Sequence, residues 1–193
     1  MKGLSKIYVF NLVLVIMFFS ILTPLYAELE QENIILKMNR DIEEWNLNLL
    51  ASVQLDPKSK LIEFETDGCS GGLSDAWNGF AKISPEFKEH FNERPPWESC
   101  CVTHDRAYWK GDTEDGFNQR LQADIILRQC VLNYGTENSN RLAKKFNVSE
   151  EKILTQIKLT STLMYHAVRL GGKPCSYLPW RWGYGWPHCE LLK

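Results

Sequence analysis

The stretch Cys100-Cys101-Val102-Thr103-His104-Asp105-Arg106-Ala107-Tyr108 decides how this chain is read. On a helix turning about 100° per residue, His104 and Tyr108 lie four apart on one face, with Cys101 a turn before them. Asp105 then points about 100° away, so a base and an acidic group adjacent in sequence serve different directions. A helix cross-linked at its start and carrying an imidazole and a carboxylate one turn later has the pattern of an active-site helix.

Working outward, Asp67-Gly68-Cys69-Ser70-Gly71-Gly72 precedes it. A glycine-rich turn lets successive carbonyls converge, and hard cations such as calcium take carbonyls and carboxylates as ligands. Downstream, the segment from Lys110 to Gly116 reads as a solvated turn, because the ligand order of an EF-hand is absent. A second helix is expected from about Gly116 to Tyr134, with Ala123, Ile126, Leu127, Cys130, Val131 and Tyr134 on its main apolar face. Asp124 lies beside that face, in line with Phe117 and Leu121; its plain alternative is a salt bridge to Arg128, four residues on. A third helix is expected from Asn147, with a capping box to Glu150, to about Leu170, stopping at Gly171-Gly172.

The flanks are amphipathic at one end and aromatic at the other. From Glu28 to about Ser52, Ile35, Met38, Ile42, Trp45 and Leu49 recur at helical steps, and a helix packed on the core is the expectation, with membrane binding as its rival. Residues 73–97 read as an irregular aromatic connection. In the tail, Trp180, Trp182, Tyr184 and Trp186 fall at every second position, as on an extended strip with its rings on one side. Such rings either sit at a membrane–water interface or cap a small core, and both readings stand.

The 193 residues suit one domain behind an N-terminal leader. Lys2 and Lys6 precede a mostly apolar run from Ile7 to Leu22, and Thr23-Pro24-Leu25-Tyr26 leads to the small residue Ala27, so residues 1–27 are expected to be a signal peptide. An uncleaved anchor is the alternative, but the run is short and Asn11 interrupts it. A single domain over 28–193 would then be secreted or periplasmic. The whole chain has a net charge of −2, and losing two lysines makes it −4, which argues against nucleic acid as a partner. All six cysteines lie in the exported part, as three disulfides would require. Zinc on Cys100, Cys101 and His104 is the rival, although no Cys-x-x-Cys pair is present.

The ungapped Cys-Cys-x-x-His-Asp-x-x-Tyr run from Cys100 to Tyr108, with Asp124 followed six positions later by Cys130, resembles the secreted phospholipase A2 superfamily. The resemblance covers about 67–131. It implies an all-α, disulfide-stapled, phospholipase A2-like fold with two antiparallel core helices plus extra N- and C-terminal helices. It also implies Cys69–Cys101 and Cys100–Cys130 disulfides, which leaves Cys175 for Cys189. A Cys100–Cys130 bond would bring Asp124 to His104, since four residues forward (about 6 Å) and six back (about 9 Å) run the same way in antiparallel helices.

By the same resemblance, His104 is the base that deprotonates a water, supported by Asp124 and Tyr108. Asp105 would bind calcium together with carbonyls of Gly68, Ser70 and Gly72. The loop departs from the family's usual Cys-Gly-x-Gly-Gly, since Ser70 follows Cys69 and Leu73 takes the last glycine's place. The gap from Cys69 to Cys101 is also longer than in the compact secreted enzymes. The implied activity is calcium-dependent hydrolysis of the sn-2 acyl ester of glycerophospholipids at a phospholipid membrane surface, with calcium and the Ser70 N–H stabilising the oxyanion. The alternative is a secreted, non-catalytic membrane- or protein-binding module on that scaffold. Loss of the base or of the calcium aspartate would favour it, and both residues are present.

Overall fold

A computed structural model describes residues 37–69 and 95–189. The expected signal peptide, Ser70, Gly72 and most of the aromatic connection lie outside them. The chain divides into two compact units, Met1–Ile42 and Glu43–Lys193, and the candidate site and the core described below lie in the second.

Among the described residues the structure is all-helical. Helix α1 covers 37–55, α2 Glu98–Lys110, α3 Gly116–Phe146 and α4 Glu150–Gly171, followed by turns to residue 189. No helix among them is long and apolar enough to cross a membrane. Disulfides join Cys69 to Cys101, Cys100 to Cys130 and Cys175 to Cys189, in the expected pairing and as suits an extracellular protein. Each closed loop stabilises by roughly 2–4 kcal/mol. No cysteine is free, which removes the thiolates a zinc site would need.

Helices α2 and α3 run antiparallel, with Cys100 opposite Cys130 and His104 opposite Asp124. Helix α4 folds back along α3, where Leu127, Val131 and Leu142 share a core with Ile153, Ile157, Met164 and Val168. Burying each such side chain contributes about 1.5–3 kcal/mol. Helix α3 does not stop near Tyr134 but continues three turns further. Gly135 sits inside it as a contact surface: a Cβ there would stand 2.6 Å from Ile157 Cγ2, so the glycine lets α4 close in. The capping box from Asn147 to Glu150 does not form either. Asn147 closes α3 with φ 51°, Ser149 caps α4 by accepting from the Lys152 N–H, and Glu150 instead accepts from Ser139 Oγ at 2.6 Å.

Two flanking expectations are corrected. From Glu43 on, α1 packs on the core as expected, but not by the expected stripe: Trp45 is half-exposed, and Leu49 is only partly buried at the core's edge. Glu43, Leu47 and Leu50 are the buried positions, because a buried Arg120 requires the Glu43 carboxylate on the inward face. The aromatic tail is not a one-sided extended strip but a series of turns. Trp182 is 2 % exposed, and its indole N–H donates to the Asp112 carbonyl at 3.0 Å. Trp186 donates to the Lys110 carbonyl and Tyr184 to that of Glu65. Thus the rings close over the end of α2. Gly111 and Gly183 permit this crossing: both have positive φ (60° and 77°), and a side chain on Gly111 would collide with the Gly183 backbone.

Candidate active site

Helix α2 begins at Glu98, is stapled at Cys100 and Cys101, and ends when Gly111 turns left-handed and donates its N–H to the Ala107 carbonyl. Its inward face carries Cys101, His104 and Tyr108, all buried. His104 Nε2 lies 2.8 Å from Asp124 Oδ1, and the Tyr108 hydroxyl donates to the same oxygen at 2.7 Å. A buried carboxylate accepts only, so Nε2 carries the proton and Nδ1 keeps its lone pair. That nitrogen is 3.8 Å from Asp105 Oδ1, on the side away from Asp124. The helix therefore holds an imidazole with one nitrogen anchored and the other able to accept a proton.

Electrostatics agree with that arrangement. Burial, the largest single influence, would lower the His104 pKa. Hydrogen bonds and charges from Asp105 and Asp124 together outweigh it and hold the imidazole above its ordinary 6.5. Burial and then the Asp124 charge push the Tyr108 phenol well above 10, so it remains a donor at any working pH.

Asp105 stands one position round the helix and is less buried than His104. Thr66 Oγ1 donates to its Oδ2 at 2.6 Å. The same threonine accepts from the Gly68 N–H, whose φ of 69° begins the turn at Cys69. Asp105 opens on a small cavity with Glu65, Thr66, Asp67, Pro179, Trp180 and Tyr184 in its wall. The negative field there registers on Tyr184, whose phenol is raised first by burial and then by the charges of Asp105 and Asp67. An oxygen-only donor set in a negative field suits a hard divalent cation. Among the described residues no three His, Cys, Asp or Glu side chains gather as a ready-made metal centre, so such a cation would rely on Asp105 and backbone carbonyls. Of the expected carbonyls, only that of Gly68 belongs to a described residue.

Three residues complete the site that sequence reasoning missed. Arg120, fully buried, donates to both oxygens of Glu43 at 2.6 Å and to the Tyr108 hydroxyl oxygen at 3.1 Å. Arg169 donates to Asp124 Oδ2 at 2.9 Å and to Glu43 Oε2 at 3.4 Å. Arg128 takes no part in pairing Asp124, contrary to the plain alternative; Arg120, four residues before Asp124 rather than after, approaches its Oδ2 at 3.5 Å. Helical spacing could have suggested Arg120. Nothing local pointed to Glu43 or Arg169, which lie 126 residues apart.

No family model matches the chain, and no curated protein or solved structure matches it either.

Proposed function

We propose that the chain is a secreted, calcium-dependent phospholipase A2 that releases a fatty acid and a lysophospholipid by cleaving the sn-2 ester of glycerophospholipids. The observation that carries this reading is the pairing of His104 Nε2 with Asp124 Oδ1 at 2.8 Å, on a helix whose next residue, Asp105, shares a small cavity with Glu65, Thr66 and Asp67. His104 Nδ1 accepts the proton of a water as that water attacks the ester carbonyl. Asp124 stabilises the imidazolium that forms and holds the ring in the required tautomer, with Tyr108 securing the same carboxylate oxygen. The proton then passes from Nδ1 to the departing alkoxide. Asp105, with carbonyls of the loop from Gly68, would hold calcium, which when bound supplies polarisation of the carbonyl and neutralises developing charge. The Cys69–Cys101 bond ties that loop to the catalytic helix.

Fatty-acid release from phosphatidylcholine–phosphatidylglycerol vesicles, measured with calcium and with excess chelator, tests the proposal. Release that needs calcium and shows sn-2 regiochemistry is expected. No release under any calcium concentration, from folded protein, would leave the scaffold as a binding module.

A further inference from the structure

Asp124 is a fully buried carboxylate whose two oxygens do different work. Oδ1 takes both His104 Nε2 and the Tyr108 hydroxyl. Oδ2 takes Arg169 Nη1 at 2.9 Å, with Arg120 Nη1 further off at 3.5 Å. Arg120 is itself occupied by a two-pronged pair with Glu43, and by the carbonyl of Val168 at 3.2 Å. Two carboxylates and two guanidiniums thus balance in a largely buried cluster that opens only at Arg169, and each fork has an assigned partner. We propose that Arg169 is a positioning residue for the His104–Asp124 pair. It grips Asp124 Oδ2 so that Oδ1 alone faces the imidazole, and Glu43 from α1 holds the guanidinium at that angle.

The geometry argues for this rather than for a general structural pair. A carboxylate can rotate about its Cβ–Cγ bond; two donors on Oδ1 and one on Oδ2 define its plane. Arg169 reaches the site from the last turn of α4, 45 residues from Asp124, while the Phe117 face lies 5.6 Å from its guanidinium carbon. It remains 16 % exposed, so the site's edge is where α4 ends. A lysine there would supply the charge without the fork, and could not hold Asp124 and Glu43 together.

The phospholipase reading supports only the kinetic arm of the test; the spectroscopic arm stands without it. In proton NMR of the full chain, the hydrogen-bonded Nε2–H of His104 gives a downfield signal, assigned by its loss in His104→Gln. Arg169→Met is expected to shift that signal upfield or broaden it away, and Arg169→Lys to retain it with a smaller shift. On a soluble, monomeric phospholipid, Arg169→Met should lower kcat about tenfold or more with KM within twofold, and Arg169→Lys should recover part of the loss. Should Arg169→Met fail to fold, the lysine variant still decides: an unmoved signal and wild-type kcat would overturn the proposal. So would a folded Arg169→Met with the wild-type signal. Wild-type protein that shows the signal and its loss in Arg169→Met, yet hydrolyses nothing, would overturn the phospholipase reading and leave the positioning role standing.

Discussion

The Trp182 ring stands edge-on to the Tyr108 ring, with centroids 5.1 Å apart at 82° between planes. Through that contact the C-terminal tail presses on the residue whose hydroxyl secures Asp124. The Gly183 N–H reinforces it by donating to the Tyr108 carbonyl at 2.6 Å. The aromatic tail is therefore part of the wall behind the candidate catalytic pair.

Trp182→Ala should accordingly destabilise the protein by about 3–5 kcal/mol, as a large buried aromatic does. Activity on a soluble ester and on vesicles should fall together, because the site's support is lost rather than a membrane contact. Melting curves with both rates check this. A variant that melts normally and fails only on vesicles would show that Trp182 serves the surface.

His104→Gln should fold and bind calcium as the wild type does, and lose about 10²–10⁴-fold in kcat. Glutamine can still donate to Asp124 but cannot accept a proton at neutral pH. Retention of more than a tenth of the wild-type rate would make the imidazole structural.

Asp105→Asn should weaken calcium binding measured by titration calorimetry, and raise the calcium needed for half-maximal release. Asparagine can keep the Thr66 contact yet removes the charge that attracts the cation. Unchanged calcium affinity in this variant would move the cation site away from α2.

The metal-free protein should show a pH dependence of fixed sign. Because the folded His104 pKa lies above its ordinary 6.5, protonation stabilises the fold. That contribution is fully present below about 6.5, the unfolded value, and is lost as pH rises through the folded value. Comparing wild type with His104→Gln in chelator isolates it: their difference in melting temperature should shrink as pH rises. A difference that grows with pH would mean the buried imidazole is held neutral. Under the phospholipase reading, wild-type activity rises across the same range, since the base works only when neutral.

Short-range spacing determined much of this protein. Helical periodicity alone put His104 and Tyr108 on one face of α2 with Cys101, and turned Asp105 elsewhere, and the structure has each side chain so directed. The turn before Gly116 and the stop at Gly171-Gly172 were equally local, being set by residues that end helices. The disulfide partners followed from the resemblance of that same stretch.

Tertiary structure decided what periodicity cannot reach. The repeat of Met38, Ile42, Trp45 and Leu49 defined an apolar face on α1, yet Glu43 turns inward. Leaving Trp45 in water costs less than burying the Arg120 guanidinium without its carboxylate. The tail's rings alternated as on a strand, but they met donors' partners in the carbonyls of Glu65, Lys110 and Asp112, which no local rule names. Arg169 reached Asp124 only because α4 folds back along α3. Periodicity states which side chains of one element share a direction. Which direction becomes the inside depends on the charges and hydrogen bonds that the rest of the core must satisfy.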